Sequence, residues 1–329
     1  MKGYLITDPA NVLYLTGFKS SNTFLLKTEK KNYLFTDNRY IDEARKLETK
    51  ELKICMISKD FSLKAPKWLE KKSLDKIFYE SHHLTIDKYN FYNNIAKKSK
   101  IKFLKSPEQD LIIKIREIKS QSEIKKIKKA QKISLESVEA AKKLLKPGVT
   151  EAEISWKIKN IMHSLNADGF SFEPIVAFDK NSAVPHHQSS NTKLKENSIV
   201  LIDAGAKYKN YCGDITRTFL PKKAGQEMQY VYNAVNKAQT AAINKLKESK
   251  YGIPLKDIDI EVRDFFKQIN LGEFFTHSLG HGVGLNVHEE PRIADKSTSK
   301  LTKGQVFSIE PGIYLPNKFG VRIEDLYFV

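Results

Sequence analysis

"HSLGHGVGLNVHEEP", His277 to Pro291, places three of the chain's eight histidines within twelve positions and threads three glycines between them. His277 and His281 stand four apart, but Gly280, Gly282 and Gly284 argue against a helix, where each glycine costs about 1 kcal/mol relative to alanine. From Gly282 the residues alternate, with Val283, Leu285 and Val287 on one face and Gly284, Asn286 and His288 on the other. That period of two predicts a strand. Its glycines leave room on the His288 face for something bulky, read as a substrate. Three imidazoles suggest a metal, but histidines alone do not make a site, so the reading depends on carboxylates elsewhere.

Two segments supply them. In "IVLIDAGAKYKNYCGDITRTF" (199–219) an apolar strand delivers Asp203, a turn through Lys207 to Asn210 returns the chain, and the next strand delivers Asp214. In "FSIEPGIYLPNKFGVRIEDLYFV" (307–329) Glu310 follows an apolar strand, and Arg322 and Glu324 share one strand face after a turn at Pro316 to Gly320. Asp325 falls on the opposite face. Each feature has a plain alternative: Asp203 capped by turn amides, Arg322 and Glu324 as a surface pair worth little, the histidines as satisfied core residues. Taken together, four carboxylates converging on one place would repel strongly without cations. Two divalent ions about 3.5–4 Å apart would neutralise them. An oxygen-rich site with a single imidazole suits Mn²⁺, Co²⁺ or Fe²⁺ at least as well as Zn²⁺.

The rest of the chain sets the frame. At 329 residues it is comfortable for two domains. No run of 18 apolar residues predicts a membrane span, and the start reads as mature sequence without a secretory signal. Cys55 and Cys212 form no disulfide framework, so a reducing cytoplasm is expected. Cys212, two positions before Asp214, is read first as a small buried hydrophobe and second as a thiol near the metals. The net charge of +17 invites a nucleic-acid reading, but only seven of the 56 basic residues are arginine. A solvated lysine surface with no specific nucleic-acid partner is the expectation.

Along the first third, "NVLYLTGF" and "NTFLLKTEKKNYLFTD" read as strands, and "NRYIDEARKLE", "FSLKAPKWLEKK" and "TIDKYNFYNNIAKK" as helices around short strands such as "KIFYE". The pattern changes at "EQDLIIKIREIKSQSE" (108–123). Ser120 and Glu123 form a capping-box signature before an amphipathic stretch carrying Ile124, Ile127, Leu135, Val138, Ala141 and Leu145, ended by Pro147-Gly148. Thr150 and Glu153 repeat the box. Strands follow from Pro174 to Phe219, then helices over 226–250 and 254–269, then strands again. That order, helices and strands twice over, suggests two related halves. The boundary between domains is set near residue 115.

"HSLGHGVGLNVHE" (277–289) resembles the proline-peptidase signature of the pita-bread metallopeptidases, the group that includes methionine aminopeptidase, aminopeptidase P and prolidase. The resemblance runs from about residue 115 to the C-terminus, and the first third resembles the creatinase/prolidase-type N-terminal domain. It implies an α+β protein: a C-terminal pita-bread (creatinase/aminopeptidase-like) domain over 116–329 and a smaller α/β domain over 1–115. It implies Asp203, Asp214, His281, Glu310 and Glu324 as ligands of two divalent metal ions, Mn²⁺ first with Co²⁺, Zn²⁺ or Fe²⁺ as alternatives, and Asp214 and Glu324 as the bridges. Glu310 is also the implied proton acceptor. His186 matches a substrate-side histidine, with His187 the less favoured neighbour, and His288 matches the histidine at the substrate carbonyl. His277 and Arg322 match positions typical of the proline-specific members. The implied function is an Xaa-Pro aminopeptidase acting on peptides with proline second, with Xaa-Pro dipeptidase as the alternative, and a homodimer is expected. A non-enzymatic binding module or a metal-free hydrolase of the creatinase type is disfavoured, because all five ligand positions are filled.

Overall fold

The computed structural model describes residues 1–106 and 111–329. Residues 108–110, which open the stretch where the pattern changes, lie outside the described residues. The chain divides into two compact units, Met1–Ile115 and Arg116–Val329.

The first unit contains β1 (Lys2–Ile6), α1 (Pro9–Thr16), β2 (Thr23–Thr28), β3 (Asn32–Thr36), α2 (Ile41–Arg45), β4 (Leu52–Met56), α3 (Phe61–Glu70), β5 (Lys76–Tyr79), α4 (Ile86–Lys98) and β6 (Lys102–Lys105), with α5 (Leu111–Glu117) crossing the boundary. Its six strands form one sheet in the order β4-β3-β2-β1-β5-β6. Alternate residues feed two cores: Leu5, Phe24, Leu26 and Phe35 belong to one, and Ile6, Leu25 and Leu34 to the other. "NVLYLTGF" is a helix rather than a strand. Asp8 caps α1 by accepting hydrogen bonds from the Ala10 and Asn11 amides at 2.7 and 3.4 Å. Pro9 pre-sets the first turn, and Gly17 ends the helix in the left-handed region at φ 72°. This punctuation outweighs the local apolar pattern.

The second unit opens with α6 (Gln121–Lys142) and α7 (Glu151–Ser164), and both helices start with a closed capping box, Ser120 with Glu123 and Thr150 with Glu153. The buried stripe of α6 runs through Ile124, Ile127, Ala130, Ser134, Val138 and Ala141. Leu135 lies about 100° round the helix from Ser134 and is exposed, so it is not part of that stripe. Then come β7 (Gly169–Phe170), β8 (Ile175–Phe178), β9 (Val200–Ala204), β10 (Ala206–Tyr208), β11 (Tyr211–Cys212) and β12 (Ile215–Phe219). They pair as β11-β10-β7 and β12-β9-β8. After α8 (Gln226–Glu248) and α9 (Leu255–Gln268) follow β13 (Gly280–Gly282), β14 (Glu289–Ile293), β15 (Val306–Ile309), β16 (Gly312–Leu315), β17 (Phe319–Arg322) and β18 (Asp325–Phe328). These form the sheet β14-β13-β15-β18 and the hairpin β16-β17. One core packs α6 and α7 on β8, β9 and β12, and the other packs α8 and α9 on the later strands. The repeated order of helices and strands is therefore present. Among the described residues no helix is long and apolar enough to cross a membrane.

Residues 283–288 are a bent loop between β13 and β14, not a continuation of a strand. The glycines answer to neighbouring chain rather than to open space. A Cβ on Gly280 would strike the Ser308 carbonyl, one on Gly282 the Glu290 carbonyl, and one on Gly284 the Glu289 carboxylate. Their absence of side chain lets β13 and the loop after it lie against neighbouring chain, so the space beside these glycines is filled by protein and not by a substrate.

Candidate metal centre and substrate cavity

A cavity of about 730 Å³ in the second unit is lined by His186, Asp203, Asp214, His277, His281, His288, Glu310, Arg322 and Glu324. All nine residues singled out in the sequence thus meet in one place. Each carboxylate arrives by a simple local device. Asp203 is the fourth residue of β9, after Val200, Leu201 and Ile202, and sits opposite Thr216 of β12. Asp214 lies just before β12, where α6 packs so closely that a Cβ on Gly213 would stand 2.7 Å from the Ala130–Gln131 backbone. The Asp214 amide donates to Gln131 Oε1 at 2.8 Å. Glu310 directly follows β15, and Glu324 lies between β17 and β18.

The donors crowd. Ligand atoms of Asp214, His281 and Glu324 lie within 4.8 Å of one another. His281 Nε2 is 3.1 Å from Glu310 Oε1 and 3.7 Å from Asp214 Oδ2. The other His281 nitrogen, Nδ1, is 3.1 Å from the Gly282 carbonyl and donates to it, while a protonated Nε2 donates to Glu310, and a cation would take the place of that Nε2 proton. Asp203 and Glu324 are buried, and burial together with neighbouring acids raises both carboxyls, Glu324 well above its ordinary range. Asp214 is raised in the same way, by burial first and Glu324 next. Burial opposes ionisation of Glu310 too, but the hydrogen bond and charge of His281 hold it low.

Asp203 Oδ1 is buried with no hydrogen-bond partner among the described residues. The Thr216 hydroxyl is close to Asp203, but its one proton goes to Glu324 Oε2 at 2.7 Å. Four carboxylates against one guanidinium leave about three negative charges if the histidines are neutral, and a bare buried carboxylate oxygen is costly. This donor set fits divalent cations.

Arg322 does not form the surface pair with Glu324 that is the plain alternative for two residues on one strand face. Its Nη2 donates to Asp203 Oδ2 at 2.6 Å, its Nε to the Thr216 hydroxyl at 3.0 Å and its Nη1 to the Tyr314 hydroxyl at 2.7 Å. The Tyr314 hydroxyl in turn meets His277 Nε2 at 2.9 Å, and His277 Nδ1 donates to the Ser278 carbonyl at 2.8 Å. Because the carbonyl can only accept, Nε2 of a neutral His277 accepts from Tyr314. Burial lowers His277 and favours that neutral form. Asp325 faces away, to Arg217 at 2.7 Å. Cys212 is fully buried, its Sγ is 3.5 Å from the Leu285 carbonyl, and burial raises the thiol.

His288 lies edge-on to His281, ring centroids 4.4 Å apart. Burial and His281 lower it, so it is neutral at pH 7. The loop that carries it is tied by Glu289, whose buried carboxylate pairs with Arg116 and, at 3.0 Å, with Lys119, and accepts from the Asn286 amide at 2.9 Å. The loop carrying His186 is tied by Glu151. That fully buried acid accepts from the Phe178 amide, Asn181 Nδ2, the Ser190 amide and the Ser190 hydroxyl, at 2.8, 2.9, 3.0 and 2.6 Å. His187 Nε2 joins it at 2.8 Å, so His187 serves the scaffold. Glu151→Ala strands these donors and is expected to cost about 3–5 kcal/mol, read as a lowered Tm of the second unit.

Sequence reasoning missed Thr216, Tyr314 and Glu151. Thr216 and Tyr314 were within reach, because Thr216 lies two residues after Asp214 and Tyr314 four after Glu310, the spacings of a shared strand face. Glu151, at the first position of α7, looks like an ordinary acid at a helix start.

Residues 125–329 match the family model of metallopeptidase family M24, and residues 1–118 match that of the creatinase/prolidase N-terminal domain. An uncharacterised peptidase of Staphylococcus aureus is 36% identical over 330 residues, covering 97% of this chain and 90% of the relative. Among solved structures, an X-Pro aminopeptidase from Thermotoga maritima is 34% identical, with 99% of this chain and 92% of that chain covered at a TM-score of 0.87. An Xaa-Pro dipeptidase from Bacillus anthracis is 32% identical, with 99% and 90% covered at a TM-score of 0.92. A prolidase from Pyrococcus furiosus is 32% identical, with 99% and 93% covered at a TM-score of 0.87.

Proposed function

The chain belongs to metallopeptidase family M24, and on that premise we propose that it is an Xaa-Pro aminopeptidase, releasing the first residue of peptides whose second residue is proline. The observation that carries the proposal is the convergence of four carboxylates on His281, with Asp203 Oδ1 left bare. Likeness to an X-Pro aminopeptidase and an Xaa-Pro dipeptidase over nearly the whole chain supports the proline preference. Residues 1–115 are read as the N-terminal domain and 116–329 as the catalytic one.

Asp203, Asp214, His281, Glu310 and Glu324 would hold two divalent ions, Mn²⁺ first, which when bound lower the pKa of water to about 7 and polarise a carbonyl. The chain's own groups do the rest. Glu310, in the donor cluster beside His281, takes a proton from the attacking water and passes it toward the proline nitrogen. That nitrogen must be protonated to leave, and as a tertiary amide it offers no N–H for the enzyme to hold. His288 donates to the carbonyl oxygen as charge develops, with His186 beside it. Arg322 and Tyr314 fix Asp203 and His277 in one hydrogen-bonded chain, so the proposed ligand and the His277 imidazole hold a single geometry.

Chelated protein is expected to be inactive and to recover best with Mn²⁺ or Co²⁺, and full activity in exhaustively metal-free protein would overturn the mechanism. The second reading, an Xaa-Pro dipeptidase, has the likeness to the Bacillus anthracis enzyme in its favour. Turnover of Ala-Pro against Ala-Pro-Phe separates the two, because the aminopeptidase reading predicts the higher kcat/KM on the tripeptide. The same reading has the protein acting as a cytoplasmic homodimer on free peptides, without specific nucleic-acid contacts.

A further inference from the structure

The lining of the cavity includes one face of α7. Ala152, Ser155, Trp156 and Lys159 recur at helical spacing and line it together. At 1.5 Å per residue this wall is about 10 Å long, whereas two extended residues reach only about 7 Å. Two of its residues have no part in the chemistry described above. Trp156 is 63% exposed, a large apolar ring turned toward the cavity and solvent while Ile154 and Ile158 fill the core. Lys159 Nζ stands 4.2 Å from the centroid of the Trp156 ring and 5.9 Å from that of Phe170.

The ammonium is held better than its counter-ion. Lys159 Nζ is 2.8 Å from Glu173 Oε2, but the Lys159 side chain is 14% exposed and that of Glu173 77% exposed. A carboxylate on a solvated side chain is a weak partner. A second carboxylate brought in by a bound ligand can take its place, while the aromatic rings keep the ammonium where it is.

We infer that Trp156 and Lys159 form a subsite for the part of the peptide beyond proline. The side chain of the third residue packs on the exposed indole, and the terminal carboxylate of a tripeptide replaces Glu173 on Lys159. This rests on the Xaa-Pro reading and narrows its substrate class to tripeptides with a free C-terminus and a large apolar or aromatic third residue.

Kinetics on Ala-Pro-Phe and on its C-terminal amide test the inference with the metal-loaded protein. The wild type prefers the free acid by about tenfold in kcat/KM, the scale of one charge-assisted hydrogen bond. Lys159→Met treats acid and amide alike, Lys159→Arg keeps the preference, and Trp156→Ala raises KM on Ala-Pro-Phe more than it lowers kcat. Equal rates on acid and amide in the wild type, or an unchanged preference in Lys159→Met, overturns the subsite. Binding is also read without turnover, from tryptophan fluorescence on titration with Ala-Pro-Phe, a signal expected to vanish in Trp156→Phe and to need about tenfold more peptide in Lys159→Met. If no Xaa-Pro peptide is cleaved the functional reading fails, and the titration still decides the subsite: a Lys159-dependent signal upholds it, and the same curve in both proteins removes it.

Discussion

Glu324→Ala loses both its metal and its activity. Glu324 shares a ligand-sized space with Asp214 and His281, is almost fully buried, and receives the Thr216 proton that fixes one of its oxygens. With Glu324 gone, Asp203, Asp214 and Glu310 are left with less total negative charge and one fewer donor beside them. Loss of a residue that merely supports a metal ligand costs about 10–100-fold in metal affinity, so removal of the ligand itself is expected to exceed that range. Metal content per chain after dialysis, with kcat/KM on Ala-Pro-Phe, checks it. A variant that retains two ions per chain shows that Glu324 is not a ligand.

His288→Ala behaves in the opposite way, keeping its metals and losing turnover by about 10²–10³, the cost of one donor aimed at a developing oxyanion. The geometry motivates the split. His288 lies against His281 at 4.4 Å between ring centroids but is not one of the crowded donors, and it is exposed on the cavity wall. Its loop is anchored independently, by Glu289 on Arg116 and Lys119, so truncating the imidazole leaves the loop in place. The readout is kcat at saturating substrate together with metal content. Loss of the metals, or normal turnover, shows that the histidine has been misassigned.

The parts of this molecule that were legible in its sequence are those whose cause is local. Both capping boxes of α6 and α7 pair residues only three positions apart, and each carboxylate lies within or beside a short strand that the apolar pattern marks. What was illegible depends on partners far along the chain. Gly282 and Gly284 looked like space for a ligand, but what they admit is the Glu290 backbone and the Glu289 carboxylate. Arg322 looked like a partner for Glu324 two residues on, but its guanidinium reaches Asp203, 119 positions away. In α1 the apolar alternation of "NVLYLTGF" imitated a strand, and the decisive signals, Asp8-Pro9 before it and Gly17 within it, are turn and cap chemistry rather than hydrophobic pattern. Glu151 shows the limit most plainly. Nothing at its position distinguishes an acid that favours a helix start from one that gathers five hydrogen bonds beneath the His186 loop.

The measurement closest to the central claim is release of free alanine from Ala-Pro-Phe by two portions of one preparation, one stripped of metal and one reloaded with Mn²⁺. The account predicts alanine and intact Pro-Phe from the reloaded portion and none above background from the stripped one. Equal release from both, or no release from a portion shown to carry its two ions, contradicts it.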